Sequence, residues 1–215
     1  MRRAALFAVL GALVLVTLPH IPAGAEDRFD TSAGDVQVTR MADGFDTPWA
    51  FDFLPDGGLV VTEKRGRLLH IGADGARQAV SGLPEIAVRG QGGLLDVTIA
   101  RDFAETRTLF LAFSERASGG LRTAAVSARL SEDGTRPEDV RHIFRQEPPV
   151  SGGRHFGSRI VEAPDGTLFV TTGDRGLRDP AQDPQSHIGK LIRIARDGSV
   201  PADNPFVDGG ALPEI

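Results

Sequence analysis

From Val36 to Ile215 the apolar positions fall into short Val, Ile, Leu and Phe runs, each bounded by Gly, Pro or Asp, with little helical periodicity. Runs of this length and punctuation predict strands joined by tight turns. Trp49-Ala50-Phe51-Asp52-Phe53-Leu54 leads into Pro55-Asp56-Gly57, then Leu59-Val60-Val61-Thr62-Glu63, then Gly66-Arg67-Leu68-Leu69-His70-Ile71 and Ala73-Asp74-Gly75. The phrase returns as Arg159-Ile160-Val161-Glu162-Ala163, Pro164-Asp165-Gly166, Leu168-Phe169-Val170-Thr171-Thr172, Gly189-Lys190-Leu191-Ile192-Arg193-Ile194 and Arg196-Asp197-Gly198. A degenerate middle copy runs through Leu95-Asp96-Val97-Thr98-Ile99 and Thr108-Leu109-Phe110-Leu111-Ala112-Phe113. Asp at a turn entrance and Gly where positive φ is needed explain why the turn residues recur.

A repeat every ~45–60 residues with about four strands per unit predicts the blades of an all-β propeller. A β-sandwich also spaces short strands regularly, but it does not call for a repeated phrase. About three blades fit between Val36 and Ile215, whereas propellers close with roughly four to eight. Three blades would leave raw sheet edges. The expectation is therefore that residues 26–215 form the N-terminal part of a longer propeller.

The first segment reads as an address. Met1-Arg2-Arg3 is positive, Ala4 to Leu18 is apolar apart from Gly11 and Thr17, and Ala23-Gly24-Ala25 has the small-x-small pattern of a cleavage site. These are the three parts of a secretory signal peptide over residues 1–25, and the apolar stretch is shorter than the ~20 residues a spanning helix needs. A periplasmic or secreted location is expected, with no membrane span after removal of the signal. The remaining chain holds 22 basic and 29 acidic residues without a basic run. That balance argues against nucleic acid or an anionic lipid surface as partner. The absence of cysteine excludes disulfides, thiolate metal sites and a cysteine nucleophile. There is no dinucleotide fingerprint, phosphate-binding loop or Gly-x-Ser-x-Gly elbow.

Among the histidines, His20 leaves with the signal, and His70, His142 and His187 stand beside predicted strands without acidic partners at a ligand spacing. His155 differs, because Ser151-Gly152-Gly153-Arg154-His155-Phe156-Gly157 is a glycine-flanked loop entering a strand. In a propeller such loops line one end of the channel. Imidazole titrates near pH 6.5 and serves as a base near neutrality. Gln91 sits in Gly90-Gln91-Gly92-Gly93, where backbone permissiveness allows close ligand approach, or where the amide simply bonds its own turn. Asp174, in Gly173-Asp174-Arg175-Gly176, either accepts from a sugar hydroxyl, orients His155, or caps its turn. Arg159 either balances a ligand's carboxylates or pairs with a neighbouring acid.

From about Gly44 onward the chain resembles the glucose/sorbosone dehydrogenase family, soluble six-bladed propellers that use pyrroloquinoline quinone (PQQ) to oxidise sugars, and within it the aldose sugar dehydrogenase branch. The resemblance is carried, in order, by Thr47-Pro48-Trp49 with Phe53-Leu54-Pro55-Asp56-Gly57, by Gly90-Gln91-Gly92-Gly93-Leu94-Leu95-Asp96, and by Gly153-Arg154-His155-Phe156-Gly157-Ser158-Arg159. Gly173-Asp174-Arg175-Gly176, His187-Ile188-Gly189-Lys190-Leu191-Ile192-Arg193, and Asp197-Gly198-Ser199-Val200-Pro201 with Asp203-Asn204-Pro205-Phe206 complete it. It implies that His155 is the catalytic base, that Gln91 contacts sugar and quinone, that Asp174 lies at the substrate end, and that Arg159 balances cofactor carboxylates.

The chain departs from that pattern at Arg154, since the better-known glucose-oxidising branch has an acid just before the base; this leans toward the broader aldose branch. The resemblance also places the main quinone-holding basic and amide residues, and the cofactor calcium site, after Ile215. PQQ carries three carboxylates and needs cations around it. The acidic loop Asp174 to Asp183 lacks EF-hand spacing. Three functions stand open on this basis. They are a PQQ-dependent sugar dehydrogenase passing electrons to a soluble or membrane acceptor, a non-catalytic extracellular binding propeller, and a calcium-assisted lactonase.

Overall fold

The structure, a computed structural model, describes residues 26–215. The expected export segment, residues 1–25, lies outside the described residues. The described residues fall into two units, residues 26–43 and Gly44–Ile215. In the first, β1 (Glu26–Thr31) and β2 (Gly34–Thr39) pair antiparallel as a hairpin. Among the described residues no helix is long and apolar enough to cross a membrane.

The second unit is a row of three antiparallel meanders, consecutive blades of a partial β-propeller. The first sheet contains β3 (Pro48–Phe53), β4 (Leu59–Glu63), β5 (Arg67–Ile71) and β6 (Arg77–Val80). The second contains β7 (Leu94–Ile99), β8 (Thr108–Ala117), β9 (Gly120–Leu130) and β10 (Pro137–Arg145), with the single-turn helix α1 (Phe103–Thr106) between β7 and β8. The third contains β11 (Gly157–Glu162), β12 (Leu168–Thr172) and β13 (Leu191–Ile194). The first strands of successive sheets pack on each other, β3 on β7 and β7 on β11.

The alternation of side chains explains the layering. On β8, Leu109, Leu111 and Phe113 face the first sheet and join Val60, Leu68 and Val97 in one core. Phe110 and Ala112 point the other way and join Ile160, Leu168, Val170 and Ile192 in a second. The unbroken apolar run Leu109 to Phe113 is thus the mark of a strand buried on both faces. Each large side chain so buried contributes about 1.5–3 kcal/mol. In the first sheet β4 and β5 are buried on both faces, as consecutive Val60 and Val61, and Leu68 and Leu69, show, but β3 keeps one face open. On β3 the alternate residues Trp49, Phe51 and Phe53 remain exposed, with the Phe51 and Phe53 rings edge to face at 5.6 Å.

The recurring Asp-Gly phrase is one local structure built repeatedly. After β3, Gly57 N–H donates to Leu54 O (3.0 Å) and Gly58 N–H to Asp56 Oδ1 (2.9 Å). After β11, Gly166 N–H donates to Ala163 O (3.0 Å) and Thr167 N–H to Asp165 Oδ1 (2.9 Å). The same pair of bonds recurs at Asp74-Gly75, Asp133-Gly134 and Asp197-Gly198. In every copy the glycine has positive φ, +87° at Gly57 and +83° at Gly166, a region closed to most side chains. By strand direction all five turns lie at the same end of the sheets. Ion pairs from Arg196 to Asp102 (2.8 Å) and Glu162 tie that end together across the second and third sheets.

The middle repeat, degenerate as a sequence phrase, has the four strands expected of a unit. β9 escapes a hydrophobic pattern because Thr123, Ala124, Ala125, Ser127 and Ala128 are small, which lets two sheets approach it closely.

Candidate active site

The end of the sheets opposite the Asp-Gly turns is built differently. Here the segment before β7, the segment before β11 and the loop after β12 converge. Gln91 N–H donates to Gly153 O at 2.6 Å, and Gly173 N–H to Phe156 O at 3.1 Å. Gly173 sits so close to the His155 carbonyl that a Cβ would lie 1.8 Å from its oxygen; only glycine fits. His155, Ser158, Arg175 and Arg178 all have left-handed backbone (φ 51°, 95°, 55° and 63°). Each such non-glycine residue costs about 1–2 kcal/mol, strain that surrounding contacts must hold in place.

Three of the residues singled out in the sequence meet here. His155 N–H donates to Gln91 Oε1 at 2.7 Å, and His155 Nδ1 lies 2.7 Å from Asp174 Oδ1. The same Asp174 oxygen accepts from Gly176 N–H at 2.9 Å. That backbone N–H, and then the His155 contact, hold the Asp174 carboxyl below the usual carboxylate range. An ionised carboxylate only accepts, so the proton on Nδ1 must belong to His155. A neutral His155 ring then carries its lone pair on Nε2, which has no hydrogen-bond partner among the described residues; about half of the side chain is exposed. This is the arrangement of a general base, with one ring nitrogen anchored to an acid and the other open. Because the Gln91 oxygen is spent on the His155 backbone, its NH₂ group remains free to donate.

Arg159 does not join this group. Its Nη1 donates to Asp96 Oδ1 at 2.9 Å, the acid-pairing alternative weighed in the sequence. Asp96 is buried on β7 and also accepts from Ile160 N–H at 2.6 Å, so one carboxylate ties the first strand of the second sheet to that of the third. Burial raises the Asp96 pKa, the Ile160 bond and the Arg159 charge opposing it. The Arg159 side chain is nevertheless largely exposed, and its remaining N–H groups make no further hydrogen bond among the described residues. With the Gln91 amide these donors suit one edge of a polycarboxylate such as PQQ. Other cations stand close by, with Lys64 Nζ donating to Gly90 O at 2.5 Å and Arg89 and Arg154 in the segments that carry Gln91 and His155.

Two residues with structural consequence at this end carried no assigned role in the sequence. Asp96 is a lone acid in the apolar run Leu94 to Ile99, and that isolation was its signal. Arg175 is buried, and its guanidinium donates to Arg154 O and Leu121 O, both at 2.9 Å, and lies 3.8 Å over the Phe156 ring. No local signal marks it. Of the other described histidines only His187 is buried. His187 stacks edge-on against Phe144 at 5.3 Å, with Glu214 3.5 Å away, and His142 has Glu115 at 3.8 Å. These acidic neighbours come from the fold and were invisible to sequence spacing. For calcium, the described residues contain no group of three or more His, Asp or Glu able to hold a metal ion. Asp174 serves His155, and Asp183 caps Gln185 N–H at 2.9 Å, so the carboxylates of this loop do not fit that ion.

Comparisons with known proteins bear on the fold that carries these residues. A family model described as Glucose / Sorbosone dehydrogenase matches residues 45–215. Aldose sugar dehydrogenase YliI of Escherichia coli K12 is 43% identical over 184 residues, covering 84% of this chain and 50% of its own length. A solved structure described as glucose dehydrogenase superposes with a TM-score of 0.79 at 40% identity, covering 82% of this chain and 53% of that one. The PQQ-bound aldose sugar dehydrogenase of Streptomyces coelicolor superposes with a TM-score of 0.67 at 27% identity, covering 79% and 51%. The chain spans about half the length of the relatives it matches. With most of its length, both full meanders and the His155 loop inside the matched region, the chain belongs to the glucose/sorbosone dehydrogenase family.

Proposed function

We propose that this chain carries the catalytic base of a PQQ-dependent aldose dehydrogenase that oxidises sugars at the anomeric carbon to lactones. In this reading His155 Nε2 takes the proton of the anomeric hydroxyl as the C1 hydrogen departs with its electron pair. Asp174, ionised and bonded to Nδ1, stabilises the imidazolium that results and keeps the ring in one tautomer. The free NH₂ of Gln91 donates to a sugar or cofactor oxygen beside His155. Arg159, through the N–H groups not engaged by Asp96, neutralises one cofactor carboxylate. PQQ, when bound, supplies the two-electron, hydride-accepting ortho-quinone. Export through residues 1–25 would place the protein in the periplasm or outside the cell, with electrons passing on to a soluble or membrane acceptor.

The observation that supports this most directly is the anchored His155 ring with Nε2 open. A binding module has no need of a histidine whose tautomer is fixed by an ionised acid. The test supplies the purified protein with PQQ and calcium and follows dye reduction with aldoses. His155→Ala should lower the rate by about 10²–10⁴-fold, the usual contribution of a positioned base. Lactone cleavage without quinone would favour the hydrolase. Sugar binding with neither activity would favour the binding propeller.

A further inference from the structure

Asp174 and Arg175 are adjacent, and both turn toward the His155 loop in different ways. Asp174 holds the ring at Nδ1. Arg175 never touches the ring. Its Nε donates to the carbonyl of Arg154, the residue before His155, at 2.9 Å. Nη2 donates to Gly152 O at 3.3 Å, and Nη1 to Leu121 O on β9 at 2.9 Å. The guanidinium plane sits 3.8 Å from the ring centroid of Phe156, the residue after His155. Arg175 is only 4% exposed, and no carboxylate pairs with it among the described residues.

A buried arginine without an acid is a costly choice for stability alone, since desolvating an unpaired cation is unfavourable. Burial draws the Arg175 pKa down to about 10, which still leaves it charged at neutral pH. What the residue obtains is geometry. A planar fork addresses carbonyls from the His155 loop and from β9 at once, which neither a point charge nor an apolar side chain would do. His155 itself has φ 51°, so its backbone must be held from outside.

We infer that Arg175 is a positioning residue for His155, fixing the direction of the imidazole through the carbonyl before it and the aromatic ring after it. The inference rests on the reading of His155 as the base, and its test is independent of turnover. In the chain labelled with ¹⁵N-histidine, two-bond ¹H–¹⁵N spectra report which ring nitrogen of His155 carries the proton. The wild type should show the Nδ1–H form, and Asp174→Asn marks how the signals look once that anchor is weakened. Arg175→Met leaves Asp174 in place, yet it should shift the His155 tautomer ratio by about tenfold toward Nε2–H, the scale of one charge-assisted hydrogen bond. His187, packed elsewhere against Phe144, should keep its signals. Unchanged His155 signals in a variant of lower melting temperature would overturn the inference, and so would equal movement of His155 and His187. Should the Met variant not fold, Arg175→Lys is judged by the same two signals. Full dehydrogenase activity in His155→Ala would sink the proposed function without altering these spectra, so the two failures are distinguishable.

Discussion

Replacing Asp96 by alanine tests the tie between the second and third sheets. The carboxylate is 2% exposed and receives two donors, Ile160 N–H at 2.6 Å and Arg159 Nη1 at 2.9 Å. Removing it strands the Ile160 N–H, itself on a residue 1% exposed, at a cost of about 1–3 kcal/mol. The Arg159 side chain is 63% exposed and returns to water, adding under about 1 kcal/mol. Against both stands relief from holding a carboxylate in a desolvated place, the largest influence on its raised pKa. The net expectation is a loss of about 2 kcal/mol for Asp96→Ala at pH 7, read by urea denaturation with linear extrapolation. Asp96→Asn keeps an acceptor for Ile160 and should lose less than about 1 kcal/mol. The sign with pH follows from the raised folded-state pKa. The folded protein binds this proton more tightly than the unfolded chain, so that contribution is full below the unfolded value near 3.8 and fades as pH rises through the folded one. Wild type should therefore gain on Asp96→Asn as pH falls from 7 to 4. An alanine variant within about 0.5 kcal/mol of wild type, or a wild-type-to-Asn gap indifferent to pH, refutes the reasoning.

Two further outcomes follow from packing at the same end. His187 is buried with Nδ1 accepting from Glu147 N–H at 3.0 Å, and burial lowers its pKa from 6.5. Its contribution is present above pH 6.5 and lost as pH falls through the lower folded value; melting curves from pH 7.5 to 5 should flatten in His187→Gln. Gly173→Ala places a methyl 1.8 Å from the His155 carbonyl oxygen and should cost about 1–3 kcal/mol in the same urea assay, while a neutral result would mean the His155 loop yields freely.

Much of the fold could be read locally, and the reasons are physical. The Asp-Gly turns are legible because both determinants, an acceptor for the N–H two residues on and a residue tolerating positive φ, sit within the turn itself. The Leu109 to Phe113 run is legible as a strand buried on both faces. β9 is not, because its burial is expressed through small residues chosen by the neighbouring sheets. At the site, Gln91, His155 and Asp174 stood out through their glycine-rich surroundings, but their mutual contacts span 64 and 19 positions of sequence. Arg159 left two readings open, and its partner Asp96 lies 63 residues away. Arg175 was opaque for the same reason, as carbonyls from residues 121 and 152–154 define its place.

The second sheet lends one face to each of two separate hydrophobic clusters. Its ladder acts as a keystone, since water cannot reach both faces until the flanking layers have each let go. Amides of β8 and β9 should thus exchange last, while the outer sheets loosen independently, and a defect in one cluster leaves the other's grip on that central ladder intact.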